Sequence, residues 1–211
     1  MAFDYKKEYK EFYLPKNKPE IINIPAMNFI AVHGQGDPNE EGGAYKKAVE
    51  SLYTIAYTLK MSYKNDYKID GFFEYIVPPL EGLWWMEGIK GVDYSHKELF
   101  SWISMIHLPD FISEKDVLWA IETASKKKQH DFSNVEFFTY DEGLAVQIMH
   151  HGSYDDEPAT IALMNDFIKE NNYELDFIQR NHHEIYLSDP RKTSKDKLKT
   201  IIRHPIKKVE E

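Results

Sequence analysis

Apolar and polar positions along this chain follow two periods. Between Gly43 and Lys60, the residues Tyr45, Ala48, Val49, Leu52, Ala56 and Leu59 stand at offsets 0, 3, 4, 7, 11 and 14. That single stripe has a period near 3.6 residues and predicts an amphipathic helix. Tyr53 and Tyr57 lie one turn apart beside the stripe, so both hydroxyls point at the same place. A second helix is predicted from Ser113, a residue suited to cap the free N–H groups of a first turn. Val117, Leu118, Ile121 and Ala124 form its buried side, and Lys126, Lys127 and Lys128 complement the dipole at its end. A third helix follows Asp155, Asp156 and Glu157, with Pro158 in the first turn and Ile161, Met164, Phe167 and Ile168 as its apolar stripe.

The remaining segments read as strands. Residues 27–33 are an apolar run closed by the turn chemistry of Gly34, Gly36, Asp37 and Pro38. Residues 72–77 (FFEYIV) are aromatic and β-branched and stop at Pro78-Pro79, and residues 100–108 stop at Pro109. Residues 135–140 and 144–150 flank Asp141-Glu142-Gly143, the pattern of a hairpin. Residues 182–187 and 198–205 are the last two strands, separated by the turn-rich Ser188-Asp189-Pro190-Arg191. The order strand, helix, strand, strand therefore occurs twice, at 27–108 and 144–205, with a helix and a strand inserted between. No repeat of the residues themselves accompanies it. The boundaries expected are an N-terminal arm (1–21), one domain (22–205) and a charged tail (206–211).

Charge narrows the functions. With 26 basic against 35 acidic residues the net charge is −9, which disfavours nucleic acid as a partner, and the one lysine run is explained by a helix end. The chain has no cysteine, so disulfides, thiolate nucleophiles and cysteine-bound zinc are excluded. Apolar runs fall well short of the roughly 18 residues a membrane helix needs. The first ten residues are charged throughout, unlike a signal peptide, and a cytoplasmic location is expected. Fourteen tyrosines, twelve phenylalanines and four tryptophans, many of them clustered, suit a core and also the walls of a ligand pocket.

Several chemistries lack their motifs. His150-His151 and His182-His183 are adjacent pairs, and neighbours on a strand point to opposite faces, so neither pair chelates one ion; no metal is expected. Gly34 and Gly36 lead into acidic residues rather than the lysine of a phosphate loop, and no GxSxG elbow occurs. No cofactor is implied. The strand at 182–187 is more informative, because alternation puts His182, Glu184 and Tyr186 on one face and His183, Ile185 and Leu187 on the other. A carboxylate on such a face, covered by rings such as Trp84, Trp85 and Trp102, attracts cations and can act as a base.

Three separated motifs carry a resemblance. Pro78-Pro79-Leu80-Glu81-Gly82-Leu83-Trp84-Trp85, then His182 through Lys192, then Leu198 through Pro205, resemble the GyrI-like small-molecule-binding family, and most closely its stand-alone branch. The resemblance implies an α+β fold of two βαββ modules (duplicated SHS2 type) with pseudo-twofold symmetry around a central ligand cleft. It also implies that Glu184 matches the buried glutamate with which related regulators bind lipophilic cations. With so short an N-terminal arm no DNA-binding helix-turn-helix is expected, and some stand-alone members are hydrolases that open the cyclopropane of DNA-alkylating natural products. Three functions follow: such a detoxifying hydrolase, a non-catalytic binder that sequesters aromatic or cationic drugs, or an interaction protein that inhibits a larger target. In the first, Glu184 is the base and Tyr57 or Tyr53 supports the developing negative charge. Phe72, Trp84, Trp85, Trp102, His107, His182 and Tyr186 are the expected ligand-contacting residues.

Overall fold

A computed structural model describes residues 2–89 and 93–209. Two single-turn helices, α1 (Tyr5–Glu8) and α2 (Lys10–Tyr13), precede β1 (Glu20–Ile24) and β2 (Met27–Gln35). Then follow α3 (Ala44–Lys60), β3 (Leu80–Trp85), β4 (Ser101–His107), α4 (Glu114–Lys128), β5 (Glu136–Tyr140) and β6 (Gly143–His151). The chain closes with α5 (Glu157–Glu170), β7 (Tyr173–Leu175), β8 (His182–Tyr186) and β9 (Lys199–Lys208). The fold is α+β. Its sheet is antiparallel, in the order β1-β6-β9-β8-β3-β4-β2-β5, with β7 paired to β9 off this path.

That order explains where a site can form. In both β2-α3-β3-β4 and β6-α5-β8-β9, the strands run first, third, second from the outside inward, so the second strands β3 and β8 meet in the middle. The helices pack where their stripes demand. Ala48, Leu52, Ile55, Ala56 and Leu59 of α3 are buried, as are Met164 and Ile168 of α5. Ser113 and Asp116 form a capping box at the start of α4, and Gln129 ends it in the left-handed region at φ 51°. Leu118, expected on the buried side of α4, instead points outward.

Three expectations are corrected. Residues 72–77 are not a strand: apart from an isolated bridge from Tyr75 to Phe3, they carry no ladder, and the strand begins at Leu80, after the two prolines. Proline marks a strand boundary on either side, because a residue without an N–H is as well tolerated before the first ladder residue as after the last. Residues 135–140 and 144–150 do not pair as a hairpin. β5 pairs with β2 while β6 pairs with β1 and β9, at the other end of the sheet. Only residues 141 and 142 join β5 to β6, and only 25 and 26 join β1 to β2. Links this short span about 11 Å at most, so the two ends of the sheet curl toward each other. Finally, β9 continues through Lys208 with Ile206 buried, so the first half of the expected tail is strand, and the N-terminal arm is packed through Tyr5 and Tyr13.

Inside the curl lies a buried network of charges. His183 Nδ1 is 2.7 Å from Glu142 Oε1, and its Nε2 is 3.0 Å from Glu81 Oε2. Arg203 Nη1 donates to Glu142 Oε2 at 3.1 Å and Nε to Gln147 Oε1 at 3.0 Å, while Nη2 donates to the Phe12 carbonyl. Tyr13 donates to Glu81 at 3.2 Å. The arm is thus tied to the sheet by hydrogen bonds between its neutral groups, a hydroxyl and a carbonyl, and buried charges as well as by apolar contact. No helix among the described residues is long and apolar enough to cross a membrane.

Candidate functional site

The face of β8 opposite this network holds the densest set of titratable groups. Glu184, His182 and Tyr186 alternate onto it, and the ladder sets Gly82 of β3 across from Glu184 and Trp84 across from His182. Gly82 is needed there. A Cβ at that position would lie 2.6 Å from Trp84 Nε1 and 3.1 Å from the Tyr186 hydroxyl. Without it, Trp84 Nε1–H donates to Tyr186 Oη at 2.9 Å. Gly82→Ala is accordingly expected to break this bond and weaken binding of an aromatic ligand by about tenfold, the equivalent of roughly 1.4 kcal/mol. Fluorescence titration checks this, and unchanged affinity would place the ligand away from Trp84.

Glu184 meets a second carboxyl group. Glu157, the first residue of α5, is fully buried, and its Oε2 accepts from the Tyr94 hydroxyl at 2.7 Å and lies 3.8 Å from His182 Nε2. His182 Nε2 is 2.8 Å from Glu184 Oε1, and His182 Nδ1 is 2.7 Å from His204 Nε2. Burial, and then the charge on Glu184 beside it, push the Glu157 carboxyl well above the usual carboxylate range. Two carboxyl groups in contact cannot both ionise, so Glu157 is the one that keeps the proton. Their surroundings are tyrosine-rich: Tyr45 lies 5.2 Å from Trp84, and Tyr154 stands edge-on to Tyr186 at 5.8 Å. Burial, followed by the charge on Glu184, raises the Tyr154 and Tyr186 hydroxyls, which therefore remain protonated donors.

The residues expected at the site divide between several places. Glu184, His182, Tyr186 and Trp84 are together, and Trp102 lies behind them, 1% exposed and edge-on to Tyr45 at 5.2 Å. Gly34 leaves room for the Trp102 ring, since a Cβ there would sit 2.2 Å from it. Trp85 and His107 face the other side of the sheet: Trp85 packs with Phe29, Leu83 and Met105, and His107 lies against Tyr5 and Phe29. Alternation along β3 and β4 requires this, because Trp84 and Trp102 occupy the site face. Phe72 belongs to a separate aromatic cluster with Tyr63, Tyr75 and Phe111.

Tyr53 and Tyr57 line a groove of about 420 Å³ between α3 and α4, with Thr123 and Lys127 on its far side, and Tyr57 is exposed. The helical period puts these two tyrosines on one side without saying which neighbour covers it, and that neighbour is α4. The α3 tyrosine beside Trp84 is Tyr45, a member of the apolar stripe. Glu157, Tyr94, Tyr154 and His204 were also missed by the sequence pattern. Glu157 was legible only as part of an acidic helix start, and His204 only as part of the closing motif.

Glu157, His182 and Glu184 each bring one polar atom within 4.8 Å of the others, and His182 Nε2 is engaged by Glu184 Oε1 at 2.8 Å. The histidine pairs weighed in the sequence do not form it; one histidine combines with carboxylates from two elements. Within the trio the hydrogen bond is that between His182 and Glu184, and Glu157 Oε1 is buried with no hydrogen-bond partner among the described residues.

Comparison with known proteins gives a consistent result. No curated protein matches the chain. A hydrolase from Listeria innocua is 44% identical, with a TM-score of 0.88, over 98% of this chain and 100% of that one. An uncharacterized conserved protein from the same organism is 47% identical, with a TM-score of 0.92 and the same coverage. The C-terminal domain of EcmrR, 14% identical over 91% of this chain and 98% of that one, shares the fold at a TM-score of 0.58. The GyrI-like small molecule binding domain matches residues 17–207, and the chain belongs to that family.

Proposed function

We propose that the protein is a hydrolase that opens the cyclopropane ring of lipophilic aromatic alkylating compounds. The carrying observation is the Glu157–Glu184 pair, one carboxyl pushed well above the usual range by burial and the other set against His182 Nε2 at 2.8 Å. Similarity to a Listeria innocua protein described as a hydrolase supports the class of reaction. Trp84 and the tyrosines supply aromatic walls for a flat substrate.

The proposed step adds one water. Glu184 takes a proton from water as its oxygen bonds to a ring carbon. The strained C–C bond breaks, and its electron pair moves to the oxygen of a conjugated carbonyl. A tyrosine hydroxyl, from Tyr154, Tyr186 or Tyr45, donates a hydrogen bond to that oxygen as its charge grows. The proton gained by Glu184 then neutralises the oxygen, so water is added across the bond and the carboxyl pair returns to its starting state.

The purified protein should be incubated with a molar excess of a cyclopropane-bearing alkylator and followed by mass spectrometry. A product one water heavier, accumulating beyond the protein concentration, is expected. Recovery of unchanged compound in a stoichiometric complex would assign the chain to sequestration instead.

A further inference from the structure

Glu157 and Glu184 are chemically alike, and acid–base work requires that the proton sit on the right one. We propose that His204 enforces this choice: its Nε2–H donates to His182 Nδ1, which fixes the tautomer whose Nε2–H donates to Glu184 Oε1 and keeps the proton off that oxygen. His204 is then a positioning residue, acting through His182 and touching no substrate. The proposal rests on the hydrolase reading of the carboxyl pair.

The geometry leaves two neutral arrangements. His182 stands between two close partners, His204 Nε2 at 2.7 Å from its Nδ1 and Glu184 Oε1 at 2.8 Å from its Nε2. In the first, His204 carries its proton on Nε2, donates it to His182, and leaves Nδ1 as a bare acceptor. In the second, His182 donates from Nδ1, so His204 must carry its proton on Nδ1, and His182 Nε2 becomes an acceptor that forces a proton onto Glu184. His204 Nδ1 is buried and has no hydrogen-bond partner among the described residues. An orphaned buried N–H is rarer and costlier than an unused acceptor, so the first arrangement is selected.

A charged His204 would escape this choice, but its surroundings oppose it. The ring is 3% exposed, with Phe177 edge-on at 5.1 Å. Burial, and then the proximity of His182, hold its pKa well below the ordinary histidine value. The other titratable groups facing the pair are Glu157 from α5, Tyr94 from the β3–β4 connection, and Tyr154 and Tyr186. None of these makes a hydrogen bond to His182 Nδ1, whose partner among the described residues is His204 Nε2 at 2.7 Å, so none substitutes for the donor from His204.

The test has two arms. Nitrogen NMR of the full chain, labelled at histidine, should show His182 protonated at Nε2 and bare at Nδ1, with His204 protonated at Nε2. The reverse pattern overturns the proposal. In turnover of the cyclopropane alkylator, His204→Phe should lower kcat by about 10- to 100-fold with KM within about twofold, the scale seen when a partner that orients a working histidine is lost. His204→Gln, whose amide N–H reaches the Nε2 position, should recover most of that loss, and equal losses in both variants overturn the proposal. If the parent does not turn over, the hydrolase reading fails while the imidazole spectrum still decides the tautomer. The spectrum decides it also if His204→Phe fails to fold.

Discussion

Glu184→Gln should lower kcat by about 10² to 10⁴, the range for loss of a general base, while affinity for a neutral aromatic ligand stays nearly constant. Glutamine keeps the shape of the side chain and an oxygen for His182 Nε2–H, but its amide cannot take a proton from water. The companion change gives the contrast. Glu157 already holds its proton, so Glu157→Gln replaces one neutral hydrogen-bonding group by another and should cost no more than about tenfold. Steady-state kinetics on both variants decide the assignment. Equal losses would mean that the two carboxyl groups share the base role, and a fully active Glu184→Gln would exclude Glu184 from it.

Arg203→Met is expected to reduce folding stability by about 3–5 kcal/mol, the cost of leaving a buried charge without its partner. Arg203 is 3% exposed and is held by Glu142, Gln147 and the Phe12 carbonyl, so its removal takes one of the two cationic partners of Glu142, leaving His183, and frees the arm. Burial alone would raise the Glu142 carboxyl, yet His183 and Arg203 hold it down at about 2. Burial would lower His183, yet Glu142 and then Glu81 lift it to about 9. The signs set a pH window. The contribution of His183, raised from 6.5, is fully present below about pH 6.5 and is lost as pH rises through about 9. That of Glu142, lowered from 4.5, is present above about pH 4.5 and is lost as pH falls through about 2. Urea unfolding across this range should show a plateau between the two limits in the parent and a flatter, lower curve in Arg203→Met. An unchanged midpoint in the variant would mean that apolar packing alone holds the arm.

Local pattern and long-range pairing were not equally legible. The stripe from Tyr45 to Leu59 predicts α3 because a helix's period is written in its own residues, and Ser113 marks the start of α4 for the same reason. Alternation in β8 likewise separates Glu184 from His183 without any knowledge of partners. What pairs with what is not local. The segment at 72–77 has strand composition but finds no ladder, and β5 and β6 sit two residues apart yet belong to opposite ends of the sheet. At the site, Glu184 was readable because a strand face concentrates it with His182 and Tyr186. Glu157 was not, since its role depends on the first side chain of α5 reaching His182 of β8, and Tyr53 and Tyr57 were misplaced because their neighbour is another helix rather than the sheet.

In the proposed reaction Glu184 activates water rather than attacking the substrate itself. A single-turnover reaction in ¹⁸O-labelled water, with protein in excess over a cyclopropane alkylator, tests it most directly. Water activated by Glu184 puts the heavy oxygen into the product on the first turnover, and the protein remains unlabelled. A first-turnover product carrying ordinary oxygen, or an ester mass adduct on the peptide containing Glu184, would contradict the account.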